Sequence, residues 1–361
     1  MAEPLKSPYR KGTTLTLEIR RAGSRNVLPQ LRGGRGKELQ VKILDVIEPS
    51  TMSVVLKVAL EQQKEDEEEG ETAEEENTAP APQVMILKMH DRQFSSQVRQ
   101  FEEAGPATSA NEAEFIDFVR KGSMTAFLKH LAENETEASR EWDIARREAY
   151  FSYRTSQSHE MELEIYDRLV DLQGLCVPTM FADVRLAPQS AAATAAVTAD
   201  EESLAEYTHV RGILMECIAG FPLHEVVTST PESDWAPICD QAIEAIRKIS
   251  DRDFINFDIK TRNILVRRAE PPASPSYQVF FIDFGECKLR DPSDSDEAWR
   301  ELKRQKDEEG AVGYVMTTHM LYAKGKKGRK YKGPDPLPWV YTPSSRFEGQ
   351  ESESGHGDGD G

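Results

Sequence analysis

The chain has 361 residues, of which 38% are hydrophobic and 30% charged, and its formal net charge is −18. This length and apolar content are enough for one large domain or two lobes with cores of their own. Residues 61–76 hold ten acidic residues against one lysine, and residues 348–361 hold five acidic residues, so most of the negative charge lies in two short segments and says little about the folded surface.

The composition also bounds the cellular setting. The four cysteines form no CxxC pair and no metal-ligand spacing with histidine, so we expect reduced and mostly buried thiols. The N-terminus lacks the apolar segment of a signal peptide, and no run of about 18 apolar residues predicts a membrane span. We therefore expect an intracellular protein, cytoplasmic or nuclear, without a membrane partner. A basic cluster at 324–332 fits a nuclear-import patch, a nucleic-acid patch or a solvated tail; we expect the tail and no nucleic-acid partner.

The first part of the chain reads as a β-rich region. Residues 1–12 are predicted to form a disordered tail. Alternating and β-branched residues then predict four strands, at 13–20, 39–47, 52–60 and 84–89. The acidic segment 61–83 interrupts them as a flexible insertion.

Helical spacing dominates the rest of the chain. Apolar stripes predict helices over 112–131, around 142–153, over 161–172, over 235–249 and over 294–309. A buried strand is predicted at 210–218. Residues 187–206 are rich in Ala and Thr and predict a low-complexity insertion, and residues 321–361 predict a disordered tail.

Two short segments place polar side chains at the ends of apolar runs. In the first, Asp258, Lys260 and Asn263 have the order D-x-K-x-x-N that is typical of a kinase catalytic loop. In the second, Asp283 opens the sequence Asp-Phe-Gly, the order of a magnesium-binding kinase turn. Phosphoryl transfer needs a base near the acceptor hydroxyl and oxygen ligands that hold magnesium against the phosphates. Together the motifs predict a site that uses ATP and Mg²⁺.

Each of these side chains has a predicted role. Asp258 is the candidate base, Lys260 would neutralise the transferring group, and Asn263 and Asp283 are candidate Mg²⁺ ligands, Asp283 bridging the metal and the β- and γ-phosphates. The alternative is that D-x-K-x-x-N arises by chance in a polar loop, as short motifs often do. The functional interpretation is favoured by an apolar strand after Asn263 and a second one before Asp283.

A strand lysine and a helix glutamate extend the pattern. Lys88 ends an apolar strand in the order of a kinase strand lysine that holds the α- and β-phosphates, although an ordinary strand-end lysine would look the same. Its predicted partner is Glu162, which shares a helical face with Ile165 and Leu169 and therefore points inward. Glu164 is the second choice. An inward carboxylate needs a partner, which the lysine would supply.

A further segment resembles a kinase hinge. In this interpretation, backbone N–H and C=O groups of Glu216, Cys217 and Ile218 would bind the adenine edge of ATP. A plain core strand that ends at Gly220 fits the same residues equally well. Only the order along the chain favours the hinge.

The chain resembles fungal members of the protein-kinase-like superfamily, a group with similarity to aminoglycoside phosphotransferases. The resemblance covers roughly residues 39–316, and its strongest strings are Val84–Phe94, Glu162–Pro178, Arg211–Leu223, Ile255–Val266, Phe281–Gly285 and Ser295–Met316. It implies an α+β, two-lobed kinase-like fold, with a β-rich N-lobe at 13–217, a short and mostly helical C-lobe at 218–320, and ATP and magnesium in the cleft between the lobes.

The chain departs from that family in three places. Residues 47–53 stand where kinases have a glycine-rich phosphate loop, and they contain no glycine. Asn256 and Phe257 replace the His-Arg that usually precedes the catalytic aspartate. No Ala-Pro-Glu follows Asp283, and the short chain after it leaves little room for a peptide-binding platform.

The predicted function is that of an ATP- and magnesium-dependent phosphotransferase, which transfers the γ-phosphate to an unidentified hydroxyl acceptor on a small molecule or a protein. The alternative is a pseudokinase that acts as a nucleotide-binding or protein-interaction module. The complete polar set favours the enzyme, whereas the glycine-free loop and the altered His-Arg favour the alternative. The oligomeric state is left open.

Overall fold

The structure is a computed structural model that describes residues 3–24, 31, 35–49, 52–61, 83–133, 142–187, 201–270, 276–324 and 336–347. The chain divides into two compact units, an N-terminal unit, Met1–Ile218, and a C-terminal unit, Ala219–Gly361. The boundary lies one residue from the predicted division between the lobes. Within the described ranges, no helix combines the length and the apolar character needed to cross a membrane.

Six antiparallel strands form the centre of the N-terminal unit. They are β1 (Thr14–Ala22), β2 (Glu38–Ile47), β3 (Val54–Leu60), β4 (Val84–His90), β5 (Met180–Leu186) and β6 (Val210–Glu216). Their order β1-β2-β3-β4-β6-β5 closes into a barrel because β1 pairs with β5. The expected β-rich N-terminal region is therefore present, but its closed form was not predicted.

Alternation along each strand explains how the barrel is filled. In β4, Met85, Leu87 and Met89 point into the barrel and are fully buried with residues of the other strands. The intervening residues of β4, including Lys88 and His90, therefore face outward, and both are buried there by the helices of this unit.

The helices of the N-terminal unit follow β4 and β5. They are α1 (Ser96–Phe101), α2 (Ser109–Arg120), α3 (Ser123–Glu133), α4 (Ile144–Arg168) and α5 (Glu201–Thr208). The single helix predicted over 112–131 is broken at Gly122, whose φ of 70° ends α2. The two helices predicted around 142–172 are one 25-residue helix, α4. Helix α5 starts inside the predicted insertion at 187–206, of which residues 188–200 lie outside the described residues.

A buried ion-pair cluster ties these helices to the end of β4. Arg92 donates to Glu148 on α4 at 2.6 Å and also pairs with Glu112 on α2, and Arg99 on α1 donates to Glu148 at 2.6 Å. All four side chains are buried. Since removing one member of such a group leaves an uncompensated buried charge, the cluster holds α1, α2 and α4 in one arrangement.

The prediction of a disordered tail at 1–12 is wrong for the described residues from position 3. The backbone N–H of Leu5 donates to the carbonyl of Ala107 at 2.8 Å. Tyr9 is buried, and its hydroxyl donates to Asp91 at 2.7 Å. The tail therefore packs against the barrel through an aromatic anchor with a satisfied hydroxyl. The predicted acidic insertion at 61–83 lies outside the described residues except at its two ends.

The C-terminal unit combines short strands and helices. Its strands are β7 (Phe221–Pro222), β8 (Phe254–Asn256), β9 (Ile264–Arg268), β10 (Tyr277–Phe281) and β11 (Cys287–Leu289). Its helices are α6 (Val226–Ser229), α7 (Trp235–Ser250), α8 (Asp296–Lys306) and α9 (Glu308–Ala323). The strands form two antiparallel sheets, β10-β9-β7 and β11-β8. This unit is mainly helical, as predicted.

Two predictions about the end of the chain are wrong. The helix expected over 294–309 ends at Lys306, because Asp307 adopts a left-handed φ of 42° and caps α9 by accepting the N–H of Gly310 at 2.9 Å. The tail expected to be disordered from residue 321 packs against the helices at 336–347, where Tyr341 is buried against the bare backbone of Gly313.

Candidate functional site

Lys88 and Glu162 meet as a buried ion pair in the N-terminal unit. Lys88 leaves the outer face of β4, and Glu162 leaves the inward face of α4 beside the buried Ile165. The Lys88 Nζ lies 2.7 Å from a Glu162 carboxylate oxygen, and both side chains are less than a tenth exposed. The structure therefore brings together the two residues predicted to pair. Glu164, the second choice, instead pairs with Arg168 on the helix surface.

The electrostatics of this pair are set by burial and by two basic neighbours. Burial by itself raises the pKa of Glu162, but the charge of Lys88 and a contact with His90 outweigh it and lower the pKa to about 2. Burial lowers the pKa of His90 to about 4, so its imidazole is neutral at pH 7. His90 Nε2 lies 3.5 Å from Glu162, and the His90 ring meets His159 edge-on. Glu162 is therefore held ionised for Lys88.

We expect the free energy of unfolding to fall as the pH is lowered from about 6.5 to about 4, because His90 takes up a proton in the unfolded state but not in the native state. At about 1.4 kcal/mol per pKa unit, the full loss is about 3 kcal/mol. The stabilisation from ionised Glu162 is lost at lower pH, between its ordinary pKa of 4.5 and its native pKa of about 2. Urea unfolding at several pH values measures this loss, and the free energy of unfolding of His90→Gln should fall less over the same pH range.

His130 offers the matched control, because it is exposed at the end of α3. His130→Gln should keep the pH dependence of the wild type. If His90→Gln kept it as well, the neutral state of buried His90 would be refuted.

The predicted hinge residues end the N-terminal unit. Glu216 is the last residue of β6; its N–H donates to the Thr179 carbonyl at 2.8 Å and its carboxylate accepts the Thr179 N–H at 3.1 Å. The N–H of Glu216 is therefore already used and is not available to a ligand. Cys217 is half-buried, which raises the pKa of its thiol, and Ile218 is buried.

The D-x-K-x-x-N segment forms a compact loop in the C-terminal unit. It leaves β8, passes through a 3-10 turn at Thr261–Asn263 and enters β9. Asn263 donates its side-chain amide to the Asp258 carboxylate at 3.1 Å and to the Asp258 carbonyl at 3.0 Å. Lys260 donates to the other Asp258 oxygen. The loop therefore holds Asp258 by two donors while its side chain stays partly exposed.

Asp283 lies directly after β10 in an unusual backbone conformation. Its φ is 70°, a left-handed value that costs energy outside glycine and that persists where the surroundings enforce it. The flanking Ile282 N–H donates to the Asn263 carbonyl at 3.0 Å, and Phe284 is fully buried. The backbone around Asp283 is thus anchored on both sides. Aspartate adopts this region more readily than most residues, as Asp253 and Asp307 also do in the described chain.

Asn256 is a site residue that the sequence analysis noted only as a departure. Its side-chain oxygen accepts the N–H of Asp258 at 2.8 Å, and its amide nitrogen lies 3.5 Å from the carbonyl of Asp283. One buried side chain therefore bridges the two predicted motifs. The sequence indicated that Asn256 needs hydrogen-bond partners, since it is a polar residue at the end of a buried strand. It did not indicate which partners, because they are set by the tertiary structure.

A buried network behind the loop fixes β8. Glu308 at the start of α9 accepts the backbone N–H of Asn256 at 2.9 Å and the hydroxyl of Ser250 at 2.8 Å. Lys303 on α8 donates to the Ser250 carbonyl at 2.8 Å and lies 3.2 Å from Glu308. Nothing in the sequence marked these residues, because their partners are far along the chain.

The donor chemistry around the loop fits a magnesium ion. Asp283 and Asn263 offer carboxylate and amide oxygens, the hard ligands that Mg²⁺ prefers. No group of three or more His, Cys, Asp or Glu side chains that could hold a metal occurs among the described residues. Mg²⁺ is usually bound by one or two carboxylates together with substrate phosphates and waters, so Asp283 would supply the carboxylate and Asn263 an amide oxygen.

The predicted site residues thus form two groups. Lys88, Glu162 and the residues 216–218 belong to the N-terminal unit, and Asp258, Lys260, Asn263 and Asp283 belong to the C-terminal unit. In the N-terminal unit Lys88 and Glu162 are in contact. In the C-terminal unit Asp258 contacts Lys260 and Asn263, and the Ile282 N–H next to Asp283 donates to the Asn263 carbonyl. The protein is a mixed α/β protein with a β-rich N-terminal unit and a mainly helical C-terminal unit.

No protein-family model and no curated protein matches the chain. Among solved structures it is similar to a chain described as WaaP in complex with acyl carrier protein, with 10% sequence identity and a TM-score of 0.37. The similarity covers 78% of this chain and 74% of that chain. A TM-score this low does not allow the activity of that protein to be carried over.

Proposed function

We propose that the protein is an ATP- and magnesium-dependent phosphotransferase with a kinase-like arrangement of residues. The observation that carries the proposal is the tethering of Asp258, Asn263 and Asp283 through Asn256 and the Asn263 backbone. The antiparallel pair β9 and β10, in which Ile264 lies opposite Phe281, brings the ends of the two motifs together. The buried Lys88–Glu162 pair adds the predicted phosphate-binding lysine.

The proposed roles follow from the chemistry of each group. Lys88, held by Glu162, binds the α- and β-phosphates of ATP. Asp258 accepts the proton of the attacking hydroxyl, with its carboxylate oriented by Asn263 and Lys260. Asn263 and Asp283 would hold Mg²⁺, which supplies charge neutralisation on the phosphates when bound. The relationship to fungal kinase-like proteins remains a prediction.

The acceptor is proposed to be a hydroxyl on a small molecule. The chain after Asp283 continues into two helices, α8 and α9, and a packed segment at 336–347. The Ala-Pro-Glu sequence that marks the peptide-binding platform of protein kinases is missing. A metabolite acceptor is therefore favoured over a generic protein substrate.

The second candidate is a pseudokinase that binds a nucleotide or a protein partner without phosphate transfer. It is favoured by the connection between β2 and β3, residues 48–53, which contains no glycine to let backbone amides approach phosphates closely. This candidate keeps the same residues but assigns them a binding role only.

A thermal-stability measurement with ATP or ADP, with and without Mg²⁺, tests the nucleotide site. At a ligand concentration of about 100 times the dissociation constant, we expect stabilisation by about 2.7 kcal/mol. The Mg²⁺-dependent part of the shift should be lost in Asp283→Ala, because that variant removes the carboxylate ligand. Asp294→Asn, an aspartate in the loop after β11, should respond as the wild type does.

Absence of any shift with either nucleotide would refute the use of ATP. A shift that is equal with and without Mg²⁺, and unchanged in Asp283→Ala, would refute the metal site and leave a nucleotide-binding module.

A further inference from the structure

Residues 336–347 pack against helices α7 and α9 of the C-terminal unit, and we call this segment the strap. The indole N–H of Trp339 donates to Asp240 on α7 at 2.8 Å, and the backbone N–H of Tyr341 donates to the Thr317 hydroxyl on α9 at 3.0 Å. The Tyr341 side chain is buried. Since residues 336–347 form no helix or strand of their own, these contacts with α7 and α9 hold the strap in place.

Gly313 forms the seat for Tyr341 within α9. A Cβ at this position would overlap the Tyr341 ring, so glycine leaves the room that the strap needs. After proline, glycine is the least favourable residue in a helix interior. The helix thus carries a glycine where alanine would stabilise it, and the contact that needs the glycine is the contact with the strap.

The strap also supplies donors to a buried carboxylate in the first turn of α9. Glu309 accepts hydrogen bonds on Oε1 from the Ser344 hydroxyl and from Arg346, both at 3.1 Å, and on Oε2 from Arg247 of α7 at 2.9 Å. Arg346 also pairs with Asp251. Among the residues that the structure describes, both donors to Oε1 therefore come from the strap. A buried carboxylate that loses such donors is destabilised, so the first turn of α9 depends on the strap.

The same turn supports the Asp258 loop. Glu308, the neighbour of Glu309, accepts the backbone N–H of Asn256 at 2.9 Å. Asn256 in turn accepts the N–H of Asp258 at 2.8 Å. Both glutamates are the opening residues of α9, so a movement of this turn changes the contact with the strap and the contact with the loop together.

We propose that the strap controls the order of the Asp258 loop by holding the first turn of α9. When the strap leaves, Glu309 loses two donors, and the hydrogen bond from Asn256 to Glu308 opens more often. Such coupling is reciprocal, so a ligand that orders the loop also favours docking of the strap. The coupling does not depend on the proposed phosphate transfer.

Hydrogen–deuterium exchange of the full chain, followed by mass spectrometry without nucleotide, tests this coupling. Gly313→Ala displaces Tyr341 from its seat while it improves the helix propensity of α9. We expect amide exchange to rise by at least about tenfold in peptides covering 336–347 and 254–263, since loss of hydrogen bonds to a charged group changes the opening equilibrium by that much. Arg346→Gln, which leaves the residues of α9 unchanged, should raise exchange in the same two peptides.

Thr318→Ala is the matched control on α9, because the Thr318 side chain is exposed and its hydroxyl donates to the Tyr314 carbonyl of the same helix at 2.8 Å. It should leave exchange in both peptides unchanged. Strand β10 should exchange as in the wild type in every variant. Faster exchange in the strap alone would refute control of the loop. Unchanged exchange in both peptides, or a rise that includes β10 and so reports general unfolding, would also overturn the proposal.

Discussion

Asp258→Asn is expected to lower the rate of phosphate transfer from ATP by about 10²- to 10⁴-fold, the range that a positioned general base contributes. The amide keeps the size of the carboxylate and can still accept a hydrogen bond from Asn263 or Lys260, which contact Asp258 now. It cannot accept the proton of an attacking hydroxyl. Release of labelled phosphate from MgATP, with water or an added alcohol as acceptor, measures this rate.

The same variant separates the enzyme from the pseudokinase. Nucleotide binding should survive, because Asp258 is assigned to the acceptor and not to the phosphates of ATP. Asp253→Asn is the matched control: this residue is exposed, and its φ of 52° is tolerated by asparagine as well as by aspartate. A wild-type rate in Asp258→Asn would exclude the base role, and a wild type that binds MgATP without any transfer would support the pseudokinase.

Glu162→Gln is expected to lower the free energy of unfolding at pH 7 by about 3–5 kcal/mol. The change leaves Lys88 buried next to a neutral amide and removes the 2.7 Å ion pair, which helps to offset the burial of its charge. Urea unfolding followed by circular dichroism measures the loss. Glu164→Gln is the control on the same helix, since its exposed pair with Arg168 contributes about 0.3–0.5 kcal/mol.

A double variant tests whether the cost comes from the lysine charge that has lost Glu162. Replacing both partners, as in Lys88→Met with Glu162→Gln, removes the buried charges together and should recover much of the stability. If Glu162→Gln were no more harmful than Glu164→Gln, the pair would contribute nothing to the fold. If the double variant were less stable than Glu162→Gln, the lysine charge without Glu162 would not explain the loss.

The local parts of the fold were predictable because they rest on short-range patterns. Alternation located β1 to β4 and β6 to within a few residues, and helical spacing located α7. The breaks were harder to predict. Gly122 ends α2 and Asp307 ends α8 by adopting a left-handed φ, which an apolar stripe does not reveal. The sequence predicted two helices where α4 is one, because its middle, Thr155–Glu160, is polar and interrupts the apolar spacing.

The packed ends of the chain show a different limit. Residues 3–12 and 336–347 are polar enough to resemble tails, yet one buried tyrosine in each, Tyr9 and Tyr341, fixes the segment. Anchoring by a single aromatic side chain depends on a receiving surface elsewhere in the chain. No local window of sequence contains that surface.

The sequence by itself determined which residue types are available for chemistry and in what order they follow apolar strands. That was enough to pair Lys88 with Glu162, since helical periodicity directs Glu162 inward and an inward carboxylate needs a partner. Only the tertiary structure decided that Asn256 joins Asp258 to Asp283, that Glu308 and Lys303 support the loop, and that Tyr341 lies against Gly313. These contacts join residues distant along the chain, and such pairings are set by packing of the whole unit rather than by local preference.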